Sequence, residues 1–194
     1  MVARAADPPG TAASHRAIAE CEGAREASAE TRADAYRESL AHADAAIAAD
    51  ERDALGHFAA FCALGGLLRQ SGLGLASPGR LRRLRREVDR TLELAPDFSD
   101  ALAGKGALLL NLPRLLGGDA AEGERLLRRA LEIDADYLTP RLALVDALRA
   151  RGARDEARME AARALAIAER KGSDESASAA REALAALGHD SGPP

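Results

Sequence analysis

The feature that most constrains this chain is a six-residue segment that recurs at shortening intervals. TLELAP at 91–96 returns as ALEIDA at 130–135 and, less faithfully, as ALAIAE at 164–169. AIAADE at 46–51 aligns with the same segment, so the intervals between equivalent positions are 45, 39 and 34 residues. A unit of this length cannot bury its apolar face alone, and successive units must therefore stack on one another. A chain built in this way is expected to present an extended binding surface.

The composition indicates that the stacked units are helical. Hydrophobic residues make up 47% of the 194 residues, but aromatic residues only 3%. Alanine and leucine dominate the apolar set and runs of β-branched residues are missing, which favours closely packed helices over a sheet. The formal net charge of -4 is close to neutral. No global attraction toward nucleic acid or an anionic membrane is expected from it.

Apolar periodicity divides the chain into three helix pairs with a capping helix before and after them. The predicted parts are a disordered leader at 1–10, a single helical repeat domain at 11–187 with repeats at about 53–96, 99–135 and 138–171, and a tail at 188–194. The first two repeats are longer than the third because the turns within their helix pairs are enlarged. A stack of repeats accepts insertions at such turns without losing its packing.

The second repeat carries the clearest local signals. Gly106 lies between leucines at i−4 and i+3, and it is predicted to let the second helix of the pair approach the backbone of the first. Pro113 is predicted to end or bend the first helix. Asp119, followed three residues later by Glu122, is predicted to form a capping box for the second helix.

Other helix ends are marked by proline and glycine. Ser77 is predicted to cap the second helix of the first repeat, with Pro78 as its first helical residue. Gly152 is predicted to form the turn of the third repeat. A last helix is predicted at 173–187, with Gly188 directly after its end.

Over about residues 32–171 these patterns resemble those of a bacterial tetratricopeptide-repeat (TPR) protein. The resemblance implies an all-α fold, a right-handed α-solenoid of about three TPR helix pairs with N- and C-terminal capping helices. It also implies a non-enzymatic protein–protein interaction module or scaffold. An extended or helical partner segment would lie in an inner groove lined by the first helix of each pair.

The turn LPRLLGGD at 112–119 resembles a turn in the T component associated with TRAP transporters. That group consists of helical repeat proteins that pair with an extracytoplasmic solute-binding protein, and some members assemble as oligomers. The resemblance implies, as an alternative function, an accessory transport protein acting outside the cytoplasm, with a homo-oligomer as one of its expected states. The lipoprotein leader expected in that group has no counterpart before Cys21.

Polar residues on the first helices are the candidates for partner binding. They are His57, Lys105, Asn111 and Arg141. The turn at 112–119 has two interpretations. It is either a recognition loop or a turn that only sets the shape of the chain, in which Leu115 and Leu116 fill the core.

Arginines crowd the second helix of the first repeat. They are Arg80, Arg82, Arg83, Arg85, Arg86 and Arg90. The further alternative function is binding of an anion or nucleic acid by the Arg80–Arg90 stripe, through Arg82, Arg83, Arg86 and Arg90. The simpler interpretation is a solvated face that Glu87 and Asp89 partly neutralise. No aromatic residues are interleaved, which argues against single-stranded nucleic acid as the partner, and nucleic acid is not the expected partner.

No chemistry of catalysis or metal binding is predicted. Cys21 and Cys62 are the two cysteines, and they are not expected to form a disulfide framework or a metal or redox motif. Cys62 is interpreted as a small buried residue. The four histidines are scattered, so no metal, no cofactor and no enzymatic activity are expected. No membrane span is expected either. The expected location is the cytoplasm for the sequence as written, and the periplasm if a leader peptide has been removed.

Overall fold

The computed structural model describes residues 8–71 and 78–189, and these residues fall into two compact units, 8–101 and 102–189. Every secondary-structure element within the described ranges is helical. The predicted all-α fold class is therefore confirmed.

The N-terminal unit is built from helices that pack on their neighbours along the chain. Its helices are α1 (Ala12–Glu26), α2 (Arg32–Ala49), α3 (Ala54–Ser71) and α4 (Pro78–Leu94), together with the first turn of α5 (Ser99–Asn111). Helix α1 packs on α2 and α3, and α3 packs on α4. Four alanines with no exposed surface form the contact between α1, α2 and α3. They are Ala17, Ala43, Ala59 and Ala60.

The C-terminal unit continues the same pattern. It contains the remainder of α5, a 3-10 turn (Arg114–Leu116), α6 (Ala120–Ile133), α7 (Leu138–Ala150), α8 (Arg154–Lys171) and α9 (Asp174–His189). Its core includes Leu127, Leu144, Val145 and Leu148, each with 1% or less of its surface exposed. Helix α9 packs on α8 and α7, which places it as the capping helix that the sequence predicts.

Helices α5 and α6 approach each other through a pair of glycines. A Cβ atom on Gly106 would lie 2.9 Å from the carbonyl oxygen of Gly123, and a Cβ atom on Gly123 would lie 2.9 Å from the carbonyl oxygen of Gly106. Neither position accepts a side chain without moving the facing backbone. The close approach predicted for Gly106 is confirmed, and its counterpart Gly123 completes it.

Most helix ends agree with their sequence signals. Pro78 is the first residue of α4, whereas the predicted cap Ser77 lies outside the described residues. Gly152 has a φ of 79° in the turn between α7 and α8. The predicted position of Gly188 after the last helix is wrong, because α9 runs on to His189.

The start of α1 is tied to the start of α3. Of the predicted leader, residues 1–7 lie outside the described residues, and Pro8 is buried. Thr11 donates from both its amide nitrogen and its hydroxyl to Oδ2 of Asp53, at 3.2 and 2.9 Å. Asp53 Oδ1 accepts from the amide of Gly56 at 2.8 Å and so caps α3. Burial raises the pKa of Asp53, but the hydrogen bonds from Gly56 and Thr11 outweigh it and leave this pKa below its ordinary value.

Candidate functional site

The C-terminal unit contains a groove between α5, the 3-10 turn, α6 and α7. It has a volume of about 620 Å³, and six alanines together with Leu110 form its apolar lining. Three of these alanines, Ala143, Ala147 and Ala150, follow one face of α7. Side chains this small leave room for another backbone to come close. The groove is open at the surface, and most of its lining residues come from α5 and α7.

The turn at 112–119 shapes one end of this groove. Leu112 is buried and its amide continues the hydrogen bonding of α5. Gly117 adopts a φ of 81°, a region that favours glycine. A Cβ atom on Gly118 would overlap the carbonyl oxygen of Leu112. The turn therefore requires its glycines for shape.

The same turn presents an apolar side chain to solvent. Leu115 is 99% exposed, so the expectation that it fills the core is wrong. Leu116 is half-buried, and Arg114, next to Leu115, lines the groove. The two interpretations of the turn are thus compatible, since it sets the path of the chain and also exposes a large hydrophobic residue.

Helix α6 begins with the predicted cap. Asp119 Oδ1 accepts from the amides of Ala121 and Glu122, at 3.1 and 3.0 Å. The carboxylate of Glu122 pairs with Arg125 at 2.6 Å, and the hydrogen bond from Arg125 lowers the pKa of Glu122. The amide of Asp119 donates to the carbonyl of Leu109 instead. Only the Asp119 half of the capping box is formed.

The charges along the groove are mostly compensated. Glu124 accepts from Arg128 at 2.8 Å and from Arg151 at 2.9 Å. Burial raises the pKa of Glu124, but these two arginines outweigh it and lower this pKa overall. Asp146 lies 3.6 Å from Arg149. Arg114 is exposed and forms no ion pair within residues 8–71 and 78–189.

The four predicted partner-binding residues lie in different surroundings, and only one of them lines the groove. Asn111 is exposed and lines the groove, and its Nδ2 donates to the carbonyl of Ala107 at 2.7 Å. Lys105 is half-buried on α5. Arg141 is buried and donates to Glu160 and to the carbonyl of Ala135. A partner contact stays a prediction for each of them, and Asn111 is the one that lines the groove.

His57 belongs to the N-terminal unit and is part of a chain of charges. Its Nδ1 lies 2.7 Å from Oε2 of Glu87, and its Nε2 lies 3.1 Å from the carbonyl oxygen of Glu51. Arg83 contacts both Glu87 and Asp44. The hydrogen bond to Glu87 raises the pKa of His57 despite its burial. Burial raises the pKa of Glu87, but His57 and Arg83 outweigh it and lower this pKa. These contacts connect α2, α3 and α4.

The arginine stripe is only partly available for an anion. Arg83 is engaged as described above, and Arg90 pairs with Glu93 at 2.9 Å. Arg82 and Arg86 are exposed, and within the described part of the chain neither forms an ion pair. They lie four residues apart on α4, so they point to the same side of the helix.

Cys21 and Cys62 form a disulfide between α1 and α3. Their Cα atoms are 6.3 Å apart, and the two residues are 0% and 9% exposed. This corrects the expectation that they would not be joined. The sequence gives little signal for the bond, because the cysteines are 41 residues apart and meet only when α1 packs on α3.

One group of side chains offers metal-binding donors. Glu20, Glu38 and His42 each provide a ligand atom, and these atoms lie within 4.8 Å of one another. Sequence reasoning missed this group, although the spacing of Glu38 and His42, four residues apart on α2, is visible in the sequence.

The comparisons with known proteins identify the fold. No family model matches the chain, and no curated protein matches it either. Among solved structures it resembles the crystal structure of a thermophilic TPR protein in Thermus thermophilus, with a TM-score of 0.60 and 16% sequence identity. The likeness covers 88% of this chain and 98% of that chain. The chain therefore has a TPR-like helical repeat fold.

The findings also bear on the predicted TRAP resemblance and on the expected absence of a membrane span. The resemblance of the turn at 112–119 to the TRAP-associated T component has no support among the comparisons. None of the helices in residues 8–71 and 78–189 combines the length and the hydrophobicity that a membrane-spanning helix needs.

Proposed function

We propose that this chain is a non-enzymatic protein-interaction module, and that the groove between α5 and α7 binds a segment of a partner protein. The observation that carries this proposal is the alanine-lined groove of about 620 Å³ next to the exposed Leu115 and the uncompensated charge of Arg114. A scaffold role is consistent with the TPR-like fold.

The lining determines what kind of segment binds. Alanine side chains let a helical or extended backbone come close, and Leu115 offers an apolar contact beside the groove. Fully burying a leucine side chain contributes about 1.5–3 kcal/mol, and Leu115 makes no such contribution in the isolated chain because it is 99% exposed. Arg114 favours a partner segment that carries a carboxylate next to its apolar residues.

Selection of peptides from a random display library, followed by affinity measurement on the selected sequences, tests this proposal. Leu115→Ala is expected to weaken peptide binding about 10-fold, which corresponds to ~1.4 kcal/mol. The matched control is Met159→Ala, since Met159 is the other large hydrophobic residue exposed at the surface among the residues that the structure describes, at 54%, and it lies on α8.

A second pair of variants tests the groove itself. Ala150→Arg introduces a long side chain at the lining and is expected to abolish binding, whereas Ala166→Arg, at an exposed alanine of α8, is expected to leave it unchanged. If the selected peptides bind Leu115→Ala and Ala150→Arg as tightly as the wild-type protein, the groove is not the binding site.

The disulfide favours the alternative of an accessory protein outside the cytoplasm. Disulfides persist in oxidising compartments and are rare in the cytosol, and the bond between Cys21 and Cys62 supports a periplasmic location. Alkylation of intact native cells, followed by mass spectrometry of the peptides containing both cysteines, tests this location. Alkylated thiols at Cys21 and Cys62 would indicate a reducing compartment and contradict a periplasmic location. Light scattering of the purified protein would separately test whether it forms a homo-oligomer.

Anion binding is supported only by the exposed pair Arg82 and Arg86. It predicts an affinity for a polyanion such as heparin that falls steeply with added salt. The double variant Arg82→Ala/Arg86→Ala should remove that affinity, and retention of the affinity in this variant would exclude the stripe.

A further inference from the structure

We propose that Glu20, Glu38 and His42 form a binding site for a divalent transition metal ion of the zinc type at the contact between α1 and α2. The ligand atoms of the three side chains lie within 4.8 Å of one another. This site is independent of the groove proposed to bind a partner segment.

The two helices hold the three side chains in place. Glu38 and His42 lie one turn apart on α2 and therefore share a face, while Glu20 approaches from α1. Beside them, the hydroxyl of Ser39 donates to the carbonyl oxygen of Ala17 at 2.8 Å. Ser39 and Ala17 have no exposed surface. The candidate ligands of α1 and α2 therefore lie beside a tightly packed contact between the two helices.

The donor types match zinc. Imidazole nitrogen and carboxylate oxygen bind Zn²⁺ at about 2.0–2.2 Å, usually with tetrahedral geometry. Mg²⁺ and Ca²⁺ take oxygen ligands, so the imidazole of His42 selects against them. The presence of this nitrogen, together with the four-residue spacing on α2, distinguishes the group from a set of surface carboxylates.

The geometry requires only small movements on binding. Nδ1 of His42 lies 2.6 Å from Oε2 of Glu20, and adjacent ligands of a tetrahedral zinc ion are roughly 3.4 Å apart at these bond lengths. A bound metal ion would take the place of this hydrogen bond and move the two atoms apart. Oε1 of Glu20 is held by Nε of Arg16 at 2.9 Å. Arg16 thereby orients the carboxylate, as outer-shell partners do in metal sites.

Two properties follow from this arrangement. Glu38 is exposed, so the remaining coordination position faces solvent and takes water. Binding joins α1 to α2 and should slow the local opening of α1.

Isothermal titration calorimetry of the full chain with zinc chloride tests the site. No reductant is added, so that the sulfurs of Cys21 and Cys62 remain in their disulfide. One ion per chain is expected, and His42→Gln and Glu38→Gln are each expected to reduce the affinity at least ~10-fold. The matched control is His15→Gln, which removes an exposed histidine of α1 and is expected to leave binding unchanged.

Amide hydrogen exchange provides a second readout. Zinc should slow exchange in α1 of the wild-type protein and of His15→Gln, but not in His42→Gln. The proposal is overturned if no saturable binding occurs up to 1 mM zinc, or if His42→Gln binds zinc as tightly as the wild-type protein. It is also overturned if magnesium competes with zinc at equal concentration.

Discussion

Replacing Gly106 by alanine should destabilise the protein, even though alanine forms helices better than glycine. The new Cβ atom would lie 2.9 Å from the carbonyl oxygen of Gly123 and 3.0 Å from two carbons of Leu127. The carbonyl oxygen belongs to the backbone of α6 and cannot rotate away. Leu127 has no exposed surface, so its side chain cannot move out into solvent. Helix α6 must therefore shift away from α5.

The magnitude follows from two opposing contributions. A glycine-to-alanine change inside a helix stabilises it by about 1 kcal/mol. Overpacking a tight contact costs about 1–3 kcal/mol, and the upper end applies here because the clash involves backbone on the facing helix. The expected net loss in the free energy of unfolding is therefore about 2 kcal/mol.

Urea unfolding followed by circular dichroism measures this loss, and two other glycines provide matched controls. Added Cβ atoms at Gly23 in α1 and at Gly188 in α9 would meet no atom within 4 Å. Gly23→Ala should therefore stabilise by about 0.5–1 kcal/mol. Gly188 lies near a helix end, so Gly188→Ala should have a smaller effect of the same sign.

A double substitution separates close packing from other causes. Gly106→Ala and Gly123→Ala act on the same contact, so their combined cost should differ from the sum of the single costs by at least about 0.5 kcal/mol. If Gly106→Ala stabilises the protein as much as Gly23→Ala does, the inferred close approach of α5 and α6 is refuted.

Three further predictions concern stability. The double variant Cys21→Ser/Cys62→Ser should lose about 4 kcal/mol of unfolding free energy, because the disulfide closes a loop across 41 residues. Denaturant unfolding of the wild-type protein with and without reductant measures the contribution of the bond, and equal unfolding midpoints would contradict its presence. Because the contact with Glu87 raises the pKa of His57, protonated His57 stabilises the folded protein below about pH 6.5, and this stabilisation is lost as the pH rises through the folded-state pKa. Denaturant midpoints measured between pH 5 and 9 should show the loss, and the Glu87→Gln variant should not show this pH dependence. Asp119→Ala should cost about 1 kcal/mol by removing the cap of α6, whereas Asp119→Asn should cost less, as thermal unfolding would show.

Signals that act over a few residues were sufficient to predict much of the fold. Pro78 starts α4, Asp119 caps α6 and Gly152 forms the turn between α7 and α8. These roles are predictable because each residue acts on backbone within one helical turn of itself. Gly106 was predictable for a different reason, since a small residue between two leucines on a repeat helix marks where another helix approaches. The same local reasoning failed at Gly188, where no further signal shows that α9 continues.

Pairs that form between helices were not predictable in this way. The bond from Cys21 to Cys62 and the contact of His57 with Glu87 depend on how each helix is rotated against its neighbour. The buried face of α1 consists of small residues, so its apolar pattern is too weak to fix that rotation from the sequence. The contact between His57 and Glu87 also joins two helices whose connection is enlarged, and residue spacing does not relate the two positions.

The turn at 112–119 shows why an apolar residue in a loop is hard to interpret from sequence. Three leucines occur within five positions, and any of them is chemically suited to the core. The structure buries Leu112 at 6% exposure and leaves Leu115 at 99%, because Pro113 ends α5 and the backbone turns at Gly117 and Gly118. Since Leu115 contributes nothing to the core, replacing it should leave folding intact. Any loss of binding in Leu115→Ala would then measure the contact with a partner rather than the stability of the chain.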